Sequence, residues 1–210
     1  WGVIMYPTDK MQANKVELEI VGSQFKWEVR YPGKDGQLGS HQFEALSSGN
    51  TFGINLADKR GYDDFQATEM VLPVNQPIHF KIRAKDVIHS VYAPHFRVKM
   101  DAVPGMATDF WFTPIKTTLE MQEEVASIPR YSETDEEGVK KSENFNYEIA
   151  CTEICGRGHN SMRFLVRVVS QKEYDKWYAE QSKSAAYVVL AEEYIRENIP
   201  SAYKKDFETV

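Results

Sequence analysis

Cysteine is scarce in this chain: there are two in 210 residues, both inside "CTEICGRGHNSM" at 151–162. Such a count excludes a framework of several disulfides as the source of stability. Excess basic charge is missing too. The formal net charge is -6, from 25 Lys and Arg against 31 Asp and Glu. Without a basic stripe to displace counterions from phosphates, nucleic acid is disfavoured as a partner. No apolar run approaches the roughly 20 residues that a membrane helix needs. "WGVIMYP" at the start is too short to span and lacks the layout of a signal peptide. Residues 1–13 read as a juxtamembrane stub, with the anchoring segments absent from this sequence. Internal repeats and low-complexity tracts are absent as well.

What is present is globular: 42% hydrophobic and 27% charged residues, enough for a sizeable core. Strand signals dominate. "KVELEI" alternates Val16, Leu18 and Ile20 with polar neighbours, and "FKWEVRY" sets Phe25, Trp27, Val29 and Tyr31 on one face. "PGKDG" reads as a turn and opens a loopy, polar stretch from about Gly33 to Gln66. "MVLPV" and "IHFKIRA" predict a hairpin around Asn75-Gln76-Pro77. "DVIHSVY", "FRVKM", "TDFWF", "FNYEIA" and "RFLVRVV" supply further short strands. Many short strands without alternating helices predict an all-β antiparallel sandwich over residues 14–170.

Two segments break this pattern. Residues 119–144 carry Glu120, Glu123, Glu124, Glu133, Asp135, Glu136 and Glu137 and read as a solvated acidic insertion. Residues 171–210 read as a helical C-terminal extension, opened by a Ser170–Glu173 capping box and closed at Pro200.

The chemistry concentrates in "CTEICGRGHNSM". A single helix could not gather Cys151, Cys155, His159 and Met162 around one centre, because it would separate its ends by roughly 16 Å. Gly156 and Gly158 also oppose a helix, so the segment is read as a strand leading into a wrapping loop. Three uses are open. A disulfide closes a very small ring and leaves His159 and Met162 unexplained. Zinc could take the thiols and histidines but has no use for Met162. Thiolate, imidazole and thioether together favour a copper electron-transfer centre. With His89 upstream, a single blue-copper ion has one thiol too many. Two thiolates can instead bridge two coppers, each completed by one His and one weak ligand.

The pattern C-x-E-x-C-G-x-x-H-x-x-M, with "DVIHS", "KMDAVPG", "LPVNQP" and "VGSQFKW", resembles the binuclear copper (CuA) domain of cytochrome c oxidase subunit II. The resemblance covers roughly residues 14–178, apart from most of the acidic insertion. It implies a cupredoxin-like Greek-key β-sandwich on the periplasmic face of a bacterial inner membrane. Cys151 and Cys155 are then the bridging thiolates, and His89 and His159 each bind one copper. Met162 and the backbone carbonyl of Glu153 serve as weak ligands. The Glu153 carboxylate also reaches a magnesium site shared with subunit I. Such a domain reduces no oxygen by itself. It accepts single electrons from a cytochrome c-type donor and passes them, through His159, towards heme a of subunit I. The similar copper domain of nitrous-oxide reductase is the nearest alternative, with a copper-delivery or zinc-binding module as another.

One departure concerns electron entry. Where the family often has "Q-W-Y-W", this chain has "Q-F-K-W", with Phe25 at the first Trp and Trp27 at the second. Periodicity alone makes both residues core. The change motivates a membrane-attached or fused cytochrome donor. Asp86 matches an acidic family position near the donor-docking surface. His95 is expected to pack near the site, His41 and His79 to lie on the surface, and Met100 and Met106 to compete only weakly with Met162.

Overall fold

The computed structural model describes residues 7–183 and places ten strands in two five-stranded sheets. The strands are β1 (Val16–Ser23), β2 (Lys26–Tyr31), β3 (Phe65–Ala67), β4 (Met70–Pro73) and β5 (Ile78–Ala84). They continue with β6 (His89–Ala93), β7 (Val98–Ala102), β8 (Thr108–Phe112), β9 (Tyr147–Cys151) and β10 (Arg163–Val169). One sheet has the order β3-β2-β1-β5-β8 and the other β4-β10-β9-β6-β7. The expected all-β sandwich is therefore present, but it is not wholly antiparallel. β1 runs parallel to β5, and β4 runs parallel to β10.

The expected hairpin at Asn75-Gln76-Pro77 does not form. β4 and β5 belong to opposite sheets, so this segment is a corner between them. Asn75 adopts a left-handed φ of 61° and gives its N–H to the carbonyl of Pro114, not to a hairpin partner. Asn tolerates that conformation better than most residues, which suits a sharp change of direction.

The core lies between the sheets. Leu18, Ile20, Val29, Phe80 and Ile82 face Val91, Val98, Ile149, Val166 and Val168, all essentially inaccessible. Each such side chain contributes about 1.5–3 kcal/mol of burial. The alternate residues of β1 and β2 are also covered, because the 33–64 stretch folds over that face. Arg30 is held there by Glu19, Asp64 and the Gly39 carbonyl, and Arg83 by Glu19 and the Phe52 carbonyl. His79, expected at the surface, is only 7% exposed. It stacks on Trp111 at 4.1 Å and bonds Glu17 at 2.8 Å and Asp109 at 2.7 Å. Its carboxylate partners satisfy both ring nitrogens, which removes the need for solvent.

Among the described residues four short α-helices decorate the sandwich: α1 (Asp9–Ala13), α2 (Thr118–Val125), α3 (Pro129–Ser132) and α4 (Gln171–Gln181). The 119–144 segment is more ordered than its charge suggests. Thr117 and Glu120 form a capping box on α2, Val125 is buried, and the Thr118 hydroxyl accepts the Val168 amide at 2.9 Å. Its acidic side chains stay outside. The Ser170–Glu173 capping box opens α4 as predicted, and Trp177 meets Tyr31 edge-on at 5.0 Å. Residues 1–6 of the expected stub and 184–210 of the expected extension, Pro200 included, lie outside the described residues. No helix among the described residues is long and apolar enough to cross a membrane.

Candidate metal centre

One end of the second sheet gathers the predicted ligands. His89 is the first residue of β6, Cys151 the last of β9, and the 152–162 loop returns directly into β10. Antiparallel pairing sets Val91 opposite Cys151. The loop is closed by the Cys151 amide on the Met162 carbonyl at 3.1 Å and the Thr152 amide on the Ser90 carbonyl at 3.2 Å. Gly156 turns the loop at a φ of 136°, a conformation that side chains rarely allow. Gly22 of β1 makes room for His89. A Cβ there would meet the imidazole at 3.1 Å and Trp27 at 2.9 Å.

The two thiols lie 3.9 Å apart and are free. The His89 Nδ1 is 3.9 Å from the Cys151 sulfur, and the Glu153 carbonyl oxygen is 3.2 Å from it. The His159 Nδ1 is 3.6 Å from the Cys155 sulfur, with the Met162 sulfur at 3.9 Å. Each thiol thus sits beside one imidazole and one weak donor. His89, Cys151 and Cys155 offer ligand atoms all within 4.8 Å of one another. They are the group of three such residues found among the described residues. His89, Met162, Cys155 and Cys151 are buried, whereas His159 is half-buried and Glu153 exposed.

Burial, reinforced by the neighbouring Cys151, pushes the Cys155 thiol up to about 11. The Cys155 thiol therefore resists ionisation in this dry site, and a cation beside it would reverse that preference. Asp86 lies at the rim. Burial raises its carboxyl, but the Gln24 amide at 2.7 Å and His89 Nε2 at 2.9 Å outweigh this and hold it below the usual range. Asp86 was anticipated at a docking surface, and its contact with His89 was not. Gln24 is the first residue of "Q-F-K-W", but its contacts with Asp86 and the Cys155 carbonyl follow from no spacing in the sequence.

The remaining candidates separate clearly. Trp27 is buried and meets His89 edge-on with 5.9 Å between centroids. Phe25 does not share its face. It precedes β2, is 37% exposed, and lays its ring against Gly156 and Gly158. His95 packs edge-on against Phe145 and Tyr147, at the far end of β6 from the thiols. Met106 is exposed and Met100 half-buried, and the thioether beside the thiols is that of Met162. His41 lies on the surface as expected.

A family model described as "Cytochrome C oxidase subunit II, periplasmic domain" matches residues 16–121, just over half of the chain. The chain belongs to this family. The match includes His89 but ends before the thiol loop. The alternative cytochrome c oxidase subunit 2 of Bradyrhizobium diazoefficiens is 33% identical over 87% of this chain and 57% of the relative. Cytochrome c oxidase subunit 2 of Cereibacter sphaeroides is 26% identical over 88% of this chain and 55% of the relative. The chain thus spans about half the length of the curated relatives it matches. The crystal structure of the periplasmic domain of subunit II (CoxB) of Bradyrhizobium japonicum is 25% identical. It covers 80% of this chain and 94% of that one with a TM-score of 0.50. The fold of this subunit II domain is cupredoxin-like. Membership implies copper binding, and the thiols, imidazoles and thioether gathered here suit a soft metal of that kind.

Proposed function

We propose that this subunit II domain is the electron-transfer module of a heme–copper oxidase, and that it holds a pair of copper ions between Cys151 and Cys155. Both thiolates bridge the ions. His89 and His159 each complete one ion, and Met162 and the Glu153 carbonyl act as weak ligands. The observation that carries this reading is the 3.9 Å pair of free thiols, each flanked by its own imidazole nitrogen. A single ion leaves one of these donors without use.

When bound, a thiolate-bridged copper pair supplies one electron level shared over both metals. The protein's part is to keep the donors still. Cys151 is fixed at the end of a paired strand, His89 is fixed by Asp86, and Met162, just before β10, is fixed by its carbonyl on the Cys151 amide. Rigid donors limit rearrangement when an electron arrives or leaves.

Electrons enter from a cytochrome c-type donor and leave towards subunit I. Ile88 and Ile154, 47% and 85% exposed, directly precede His89 and Cys155, and Phe25 lies over the ligand loop. Apolar groups of this kind suit a transient docking face. Trp27 backs His89 from the interior. Of the two imidazoles His159 is the one that approaches the surface, and it is assigned to the exit. The exposed Glu153 carboxylate is free to meet a magnesium ion shared with subunit I on the periplasmic side.

Loading the protein with copper, counting ions per chain and recording the paramagnetic resonance spectrum test this reading. A hyperfine pattern from one electron shared by two copper nuclei is expected. A single copper per chain, or preferential zinc binding, would overturn it.

A further inference from the structure

Gln24 stands between β1 and β2, in the sheet opposite the ligands, yet it touches both ligand-bearing segments. Its backbone N–H donates to Asp86 Oδ2 at 2.7 Å, while Asp86 Oδ1 holds His89 Nε2 at 2.9 Å. Its side-chain Nε2 donates to the Cys155 carbonyl at 2.5 Å. Gly156 leaves the space for this contact, since a Cβ there would come within 2.9 Å of Gln24 Nε2.

The rest of the loop depends on that bond. Between Cys155 and Ser161, the other backbone hydrogen bonds among the described residues stay local. The His159 amide reaches Gly156, the Ser161 amide reaches Gly158, and the Met162 amide reaches His159. The segment carrying His159 is therefore an internally folded flap. Gln24 supplies its polar tie to the body of the protein, and the Phe25 ring supplies an apolar seat against Gly156 and Gly158.

We propose that Gln24 is a positioning residue of the metal centre: its side chain pins the Cys155–His159 segment while its backbone, through Asp86, orients His89. The assignment builds on the two-copper reading. One residue from the opposite sheet then sets the separation between the two imidazoles. Groups that orient ligands without touching the metal commonly change affinity by about 10- to 100-fold when removed.

The test is Gln24→Leu in the full chain. Gln24 is exposed, so the substitution leaves the core intact, and the backbone bond to Asp86 survives any side chain. Copper release to a chelator should quicken by about 10- to 100-fold, and the copper hyperfine splitting should change. In the copper-free protein, hydrogen exchange at the amides of His159, Ser161 and Met162 should accelerate while the denaturation midpoint holds. Wild-type release and exchange rates in the variant would overturn the proposal. So would metal loss that merely follows a fall in copper-free stability. Should the wild-type protein bind one ion, the two-copper reading fails alone, because exchange in the metal-free loop still decides the role of Gln24.

Discussion

Asp86 Oδ1 accepts a hydrogen bond from His89 Nε2 at 2.9 Å, while Nδ1 of the same ring lies 3.9 Å from the Cys151 sulfur. The carboxylate therefore selects the tautomer with its proton on Nε2 and leaves Nδ1 free to bind metal. Asp86 is itself held by the amides of Gln24 and Val87, at 2.7 Å each. Asp86→Ala should weaken copper binding by about 10- to 100-fold without unfolding the sandwich. A competition titration against a chelator measures this, and an unchanged affinity would show that packing against Gly22 and Trp27 suffices to orient His89.

The sulfurs of Cys155 and Met162 should behave differently when replaced. The thiol of Cys155 is close to Cys151, His159 and Met162, so Cys155→Ser removes a shared donor and should abolish the two-copper spectrum. A thioether is a neutral, weak donor, so on the two-copper reading Met162→Leu should keep two coppers and shift the reduction potential. Metal counting, resonance spectra and redox titration on the two variants separate these outcomes. An intact mixed-valence spectrum in Cys155→Ser would remove its bridging role.

Phe25 and Gly158 form a tight contact with its own signature. A Cβ at Gly158 would lie 2.5 Å from Phe25 Cγ and 2.9 Å from Phe25 Cβ, atoms too near the backbone to swing aside. The φ of Gly158 is -92°, so alanine suits its backbone and only the ring objects. Gly158→Ala should cost about 1–3 kcal/mol through overpacking. Adding Phe25→Ala should recover much of that loss, giving a non-additive double-mutant cycle in denaturant unfolding. Additive costs would place the strain elsewhere.

Local patterns in the sequence carried the strands and the ligand loop, while contacts between distant segments left no such trace. The spacing from Cys151 to Met162 selects a soft-metal loop because all its donors lie in one short segment. Gln24 and Asp86 reach the site from the β1–β2 turn and the β5–β6 connection, so no spacing within the loop reveals their contacts. The same limit explains the corner at Asn75, whose flanking strands look like a hairpin until β4 is found beside β10. Period-2 alternation placed Phe25 with Trp27, but β2 begins at Lys26, and Phe25 belongs to the preceding turn. His79 read as exposed because alternation describes one sheet face, and the cover over the other face comes from Trp111 and paired carboxylates.

The buried charges beneath the 33–64 segment make a pH prediction. Arg30 serves both Glu19 and Asp64, and Glu19 also holds Arg83. Burial raises Glu19, but the Arg30 and Arg83 charges outweigh it and keep this carboxyl below the usual range. Asp64 takes Arg30 and the Gly39 amide on one oxygen, and its other oxygen has no partner. Burial, only partly offset by Arg30, pushes its carboxyl up to about 7. The folded protein therefore binds a proton at Asp64 more tightly than the unfolded chain, whose aspartates titrate near about 3.9. Stability from this group is full below that value and declines as pH rises towards 7. Its slope is at most about 1.4 kcal/mol per pH unit. Glu19 acts in the opposite sense and loses its contribution only in stronger acid. Asp64→Asn should flatten the decline between about pH 4 and 7 and leave the acid limb, set by Glu19, in place. Denaturant midpoints of the copper-free protein across that range measure the slope, and an identical slope in Asp64→Asn would mean that Arg30 keeps Asp64 ionised throughout.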